Sequence, residues 1–370
     1  MHLSSLELTD FRCYRHVELV LPDGVTVLVG ANGEGKTSLL EAAGWVATAR
    51  SFRGVGDAAL VRAGAEQAIL RAEVVDDGRR QSLDAELRAA GRNRVLLNRH
   101  PLTRTRDLLG LLRVTVFAPD DLQLVKGGPA ERRQYLDDLL VAITPRYEAA
   151  RADYDRVLRH RNALLRGRVR DAEAQATLDV FDEQLAAAGG ELVRGRLGLV
   201  ERLLPVIDES YRRLAVDDAF AVEARYLADW AGDASLAHAD VEDLLRDALA
   251  KHRRQEEERG VTLVGPHRDE WRITIRGLDS RTHASQGEQR TLALALRLGG
   301  HRVCSDIVGS APVLLLDDVF SELDEQRALA LVKHLPAGQT LVTTAASVPD
   351  GVHADLRLRV AAGTLRPEAA

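Results

Sequence analysis

The chain has 370 residues, enough to bury a full core and form two domains, and its 45% hydrophobic and 29% charged content is that of an ordinary folded chain. A net charge of −6 excludes a uniformly basic nucleic-acid binder, though not local basic patches. Two cysteines, Cys13 and Cys304, make neither a disulfide framework nor a zinc site, and no run approaches 18 uninterrupted apolar residues, so no membrane association is expected.

In chain order, Met1 leads into an alternating strand pattern, without the basic start and apolar core of a signal peptide. The expected setting is a reducing cytoplasm. Leu3, Leu6 and Leu8 open a first strand, and residues 24–30 read as a buried strand running into a glycine loop. Helical spacing follows over 37–50 through Leu39, Leu40, Ala43, Val46 and Ala47. Strand patterns occupy 68–75 and 94–97, with turn signals at Asp77-Gly78 and Gly91 between them, and 114–117 is a further short strand. From about Asp120 the pattern turns helical, over 132–160, 173–203, 206–214 and 241–258. No heptad is sustained for four repeats, so a long coiled coil is not expected. Strands return at 261–264 and 271–275, followed by a helix over 288–303, a strand at 313–316, a helix over 324–334 and a strand at 340–344. The tail after Ala361 is expected to fray.

Gly30-Ala31-Asn32-Gly33-Glu34-Gly35-Lys36-Thr37 matches G-x-x-x-x-G-K-[ST] in full, between an expected strand and an expected helix that continues through Ser38. Glycines let successive backbone N–H groups close around a phosphate, and the helix N-terminus adds partial positive charge. Lys36 is expected on the β- and γ-phosphates of ATP and Thr37 on Mg²⁺. Far along the chain, Val313-Leu314-Leu315-Leu316 ends in Asp317-Asp318. A carboxylate emerging from such a buried strand suits a Mg²⁺ ligand, reached through water, and Asp318 is placed to polarise an attacking water. Taken alone, an apolar run ending in two aspartates could simply cap a strand. Between Thr37 and Asp317 lies more sequence than many complete ATPase domains contain, so the two chain ends must meet in one sheet around an insertion.

Ser285-Gln286-Gly287-Glu288-Gln289 stands just ahead of an expected helix, where it is either a second anion cradle or an ordinary capping box. The order of the three motifs resembles that of ABC-type ATPases, in which this signature serine meets the γ-phosphate held by another subunit. Ser321-Glu322-Leu323-Asp324 resembles the D-loop of that class.

The resemblance narrows with Leu8-Thr9-Asp10-Phe11-Arg12-Cys13-Tyr14, similar to the opening of the SMC, Rad50 and RecF ATPases. Residues 116–122, 127–137, 265–269 and 285–291 resemble the RecF family in particular, the likeness running from about residue 3 to 345 and weakest in the helical middle. It implies an α/β, ABC-type head built from both chain ends, 1–119 and 259–370, as a P-loop sheet plus antiparallel strands. Residues 120–258 would form an inserted, mostly helical second domain. It further implies ATP-dependent homodimerisation on DNA, slow DNA-stimulated hydrolysis, and cooperation with RecO and RecR in loading RecA at gaps, with support of replication restart and SOS induction. Arg12 would approach the nucleotide phosphates or be a surface arginine, and either Gln123, unless it is an ordinary surface residue, or Thr344 would sense the nucleotide. The chain also departs from its class. Asp318 replaces the usual glutamate, Glu288 adds negative charge to the signature cradle, and Thr343-Thr344-Ala345 stands where a transporter's switch histidine would be. A transporter ATPase subunit and an SMC-like, non-hydrolysing scaffold are the alternative function classes.

Residues 87–106 hold six arginines (Arg88, Arg92, Arg94, Arg99, Arg104, Arg106) and no acid, where average composition gives about 2.5 arginines and 3 acids. The stretch is either a solvated charged hairpin or a contact for DNA phosphates, fitting a duplex or single-strand/double-strand junction better than stacked single-stranded bases. Arg159-His160-Arg161 with Arg166, Arg168 and Arg170 form a second candidate.

Overall fold

The computed structural model describes residues 1–370 except 168–170, 216–220, 233–235, 237–238, 346–347, 350 and 369–370, and the side chains of 105, 106 and 322. It divides into two compact units. The first comprises residues 1–122, 209–219 and 286–370, and the second 123–208 and 220–285. The division differs from the expected one chiefly at 259–285, which join the second unit, and at 209–219, which join the first.

In the first unit, β1 (His2–Phe11), β2 (Tyr14–Val20) and β3 (Val25–Val29) lead into α1 (Lys36–Thr48). Next come β4 (Gln67–Asp76), β5 (Arg79–Arg88), β6 (Arg94–Leu97), β7 (His100–Pro101) and β8 (Val114–Phe117). β2, β1, β4, β5, β6 and β7 form one antiparallel sheet in that order. Its alternating leucines, valines and alanines bury one face against α1, whose Trp45 is fully buried. β2 and β5 were missed in the sequence: β5 has more charged than apolar residues, and in β2 Arg15, His16 and Glu18 leave only Val17 and Leu19 as the buried alternation after Tyr14.

The second unit opens with α2 (Gln123–Lys126), α3 (Pro129–Ile143), α4 (Tyr147–Arg166) and α5 (Ala172–Ala215), the last turns of α5 belonging to the first unit. It continues with β9 (Val222–Leu227), α6 (Val241–Arg259), β10 (Glu270–Ile275), β11 (Leu278–Asp279) and α7 (Ser280–His283). The helical pattern expected over 132–160 is broken at Thr144, which is extended because Pro145 follows it. Conversely, α5 runs through Pro205, so the two helices expected on either side are one. Residues 261–264 are not a strand. Their backbone is satisfied by side chains, Thr262 N–H donating to Asn162 Oδ1 (2.7 Å) and Leu263 N–H to Glu256 Oε1 (2.7 Å).

The first unit resumes with α8 (Gln286–Val308), β12 (Val313–Asp317), α9 (Glu325–Lys333), β13 (Thr340–Thr344), β14 (Leu356–Ala361) and β15 (Thr364–Pro367). A second sheet has the order β15-β14-β3-β13-β12-β8, with β14, β3, β13, β12 and β8 parallel. Of the tail expected to fray after Ala361, Thr364–Pro367 instead pair with β14 as β15. Buried Gln339 joins the two sheets, its amide bonding Leu3 N–H, Leu3 C=O and Pro22 C=O within 2.8 Å. Among the described residues no helix is long and apolar enough to cross a membrane.

Candidate nucleotide site

β3 lies beside β13, and β13 beside β12, so strands from opposite chain ends finish at one edge of the parallel sheet. The chain leaves β3 through Gly30, whose Cβ position would collide with Val360 C=O on β14, so only glycine fits there. Gly35 has φ of 109°, and a side chain on it would strike Cys13 and Tyr14, so that glycine too is required. Tyr14 Oη donates to Gly35 C=O (3.0 Å), clamping the loop from the first sheet. Lys36, at the start of α1, is buried and its ammonium donates to Gly30 C=O (2.7 Å) and Ala31 C=O (2.9 Å). The Glu34 carboxylate accepts from Ala362 N–H in the turn between β14 and β15, which ties the loop to the C-terminal hairpin.

Thr37 and Asp317 are 280 positions apart, and the Thr37 hydroxyl donates to Asp317 Oδ1 at 2.8 Å. Thr343 donates to the same oxygen at 2.7 Å. Burial raises the Asp317 carboxyl above its ordinary value, and the hydrogen bonds from Thr343 and Thr37 oppose that rise. Asp318 follows in a left-handed conformation (φ 51°). A cleft of about 640 Å³ is lined by Asn32, Gly33 and Gly35 through Ser38, by Arg12, Cys13 and Arg53, and by Asp317 and Asp318. A hydroxyl and a carboxylate are hard oxygen donors that suit Mg²⁺, and Asp317 Oδ2 has no hydrogen-bond partner among the described residues. Thr37 and Asp317 therefore fit a magnesium site.

Arg12 sits in the cleft wall at a positive φ of 53° in the β1–β2 turn. Its guanidinium grips Glu41 on α1 with two bonds (2.8 and 2.7 Å) and donates a third to Ala59 C=O (2.9 Å). Glu41 is fully buried and also accepts from Ser51. Arg12 is thus a fixed cation of the cleft rather than a free surface arginine. Sequence reasoning missed Arg53, Glu41 and Thr343. Arg53 was hidden by the arginine-rich background, and a lone glutamate inside a helix pattern carries no signal of a buried partner.

Gln286, Gly287, Glu288 and Gln289 form the first turn of α8 directly after Ser285, and none of these four lines the cleft. Gly287 faces the guanidinium of Arg327 on α9. In the segment likened to a D-loop, Asp324 caps α9 by accepting from Arg327 N–H (2.9 Å). Thr344 C=O accepts from Gly30 N–H (3.2 Å), and Gln123 opens α2 in the second unit.

Arg92, Arg94, Arg99 and Arg104 are exposed on the β5–β6–β7 edge of the antiparallel sheet and have no ion-pair partner among the described residues. Arg88 is paired with Glu86, and the side chain of Arg106 lies outside the described residues. Of the second basic candidate, Arg159, His160 and Arg166 are exposed, but Arg161 does not face solvent. Arg161 is fully buried, bonded to Asp182 (2.6 Å), Glu256 (2.6 Å) and Thr262 (2.9 Å), so it holds the helices of its unit together; Arg168 and Arg170 lie outside the described residues.

Residues 2–348 match the family described as RecF/RecN/SMC N terminal domain. The chain is 45% identical over 376 residues to the DNA replication and repair protein RecF of Streptomyces avermitilis, covering 99% of each chain. It is 48% identical over 376 residues to that of Frankia alni, covering 98% of each. A solved structure of the recombination mediator protein RecF with ATP, in the RecFOR pathway, superposes with a TM-score of 0.91 at 30% identity, covering 100% of this chain and 98% of that one.

Proposed function

The chain belongs to the RecF family, with the fold of an SMC/ABC-type ATPase head, and on that premise we propose that it is an ATP-gated DNA-binding protein of recombinational repair. The observation that carries the proposal is the 2.8 Å bond between Thr37 and Asp317, which unites a phosphate loop and an acidic strand end from opposite ends of the chain. In this role the backbone N–H groups of residues 30–38 and the Lys36 ammonium hold the β- and γ-phosphates, with Arg12 as a further cation of the wall. Thr37 and Asp317 hold Mg²⁺, which when bound neutralises charge between the phosphates. Asp318 orients the attacking water. Its carboxylate is one methylene shorter than the usual glutamate, which favours slow hydrolysis and a switch over a motor.

Ser285 and the first turn of α8 serve the nucleotide of a second copy, so ATP closes a homodimer. That Gln286–Gln289 do not line the cleft of their own chain supports this arrangement. The exposed arginines Arg92, Arg94, Arg99 and Arg104, with Arg106, contact DNA phosphates without reading sequence, on duplex or junction. The units 1–122/209–219/286–370 and 123–208/220–285 act as ATPase head and helical lobe. RecO and RecR are the proposed partners, with RecA loading at gaps, replication restart and SOS induction as the outcome, in the cytoplasm. Calorimetric titration with ATP in Mg²⁺ tests the site. Wild type should bind, Lys36→Ala should lose binding by at least tenfold while remaining folded, and undiminished binding by Lys36→Ala would reject the assignment.

A further inference from the structure

β13 runs between β3 and β12, so its C-terminal end lies between the phosphate loop and the acidic pair, with Thr343 in register with Asp317. The strand approaches through Leu341 and Val342, the aliphatic residues expected of a parallel strand covered on both faces. It then places a threonine, fully buried, at position 343. Valine has nearly the same shape and would fit there without a polar atom, so the hydroxyl has to be explained by its bonds.

Those bonds run to both acids. Thr343 Oγ1 donates to Asp317 Oδ1 (2.7 Å) and accepts from Asp318 N–H (3.0 Å). The direction is forced: a backbone N–H can only donate, which leaves the hydroxyl's one proton for the carboxylate. With Thr37 on the same oxygen, Oδ1 accepts two hydroxyls, which fixes the rotation of the carboxylate and leaves Oδ2 as the oxygen without a partner among the described residues. Asp318 has a positive φ, which a non-glycine residue keeps only where its surroundings hold it. Thr343 supplies that hold through both its hydroxyl and its carbonyl, the latter accepting from Asp318 N–H at 3.1 Å.

We infer that Thr343 is a positioning residue that orients Asp317 for the metal and fixes the backbone of Asp318. The inference rests on the reading of Thr37 and Asp317 as a Mg·ATP site. A threonine that merely satisfies its strand would contribute stability alone, and the two roles separate in one experiment. ATP affinity of the full chain is measured in excess Mg²⁺ and in EDTA for wild type, Asp317→Asn, Thr343→Val and Thr343→Ser. Thr343→Val should lose most of the Mg²⁺-dependent gain, on the order of tenfold, as expected for a hydrogen bond to a charged group. Its affinity in EDTA should stay that of wild type, and Thr343→Ser should restore the gain. Should Thr343→Val not fold, Thr343→Cys, similar in size but a weak donor, takes its place. An undiminished gain in Thr343→Val, equal losses with and without Mg²⁺, or a serine variant no better than valine would overturn the inference. A full gain in Asp317→Asn would instead reject the metal site itself.

Discussion

Glu41 has no exposure, and its charge is balanced by the forked guanidinium of Arg12 in the cleft wall. Removing the acid alone leaves an uncompensated cation beside the phosphate loop. Glu41→Ala is therefore expected to cost about 3 kcal/mol of unfolding free energy in urea and to weaken ATP binding by releasing Arg12. His301 on α8 makes a second prediction. Its Nδ1 meets the Thr115 hydroxyl (3.2 Å), and burial pushes its pKa down to about 4. A depressed folded-state value means that the unfolded chain binds the proton first, so stability is lost as pH falls from about 6.5 towards 4. Urea unfolding at pH 7 and pH 5 should show about 2 kcal/mol more loss in wild type than in His301→Gln; equal losses would contradict it. Asp269 acts in the opposite sense, because burial raises its pKa to about 6 although Tyr226 and Trp230 donate to it. At this scale the phosphate loop and Asp317 were legible, since their chemistry demands fixed residue types at fixed spacing. Glu41 and Thr343 were not, because a buried partner leaves no mark on its own stretch of sequence.

Among the elements, those with a strong period or a hard stop were legible: β6, β8 and β13 occur as expected, and α1, α8 and α9 begin and end within a few residues of their expected bounds. What failed was decided by neighbours. Residues 261–264 have the composition of a strand but satisfy their backbone on Asn162 and Glu256, and α5 passes Pro205 because burial of Leu203, Ile207 and Tyr211 outweighs one missing hydrogen bond. The stretch Gly265-Pro266-His267-Arg268-Asp269, singled out for its family likeness, is a framework segment in this structure. Pro266 C=O accepts from Arg196 (2.8 Å), and the Tyr154 hydroxyl meets His267 Nδ1 (2.7 Å). Within the same unit Arg161 bonds Asp182 on α5 and Glu256 on α6 from its place on α4. Arg161→Ala leaves the buried Glu256 without a cation and Asp182 with only Arg253 at 3.6 Å, and is expected to cost about 3 kcal/mol, read as a lower urea midpoint. A loss below about 1 kcal/mol would show that the network is not what joins the three helices.

At the scale of the molecule, a net charge of −6 coexists with four arginines that are exposed on one sheet edge and have no ion-pair partner among the described residues, the local patch on which the proposed DNA contact rests. Replacing Arg92, Arg94, Arg99 and Arg104 by alanine should weaken ATP-dependent DNA retention for all sequences alike. It should also flatten the salt dependence by roughly 0.9 in log–log slope for each duplex phosphate no longer neutralised. An unchanged slope would place the DNA elsewhere. The most direct measurement is sedimentation velocity of the full chain with and without ATP, on wild type and Ser285→Arg. Wild type should shift to a dimer on adding Mg·ATP, and Ser285→Arg should bind ATP yet remain a monomer. A wild type that binds ATP without a change in mass, or a Ser285→Arg variant that dimerises as wild type does, would contradict a site completed by two chains.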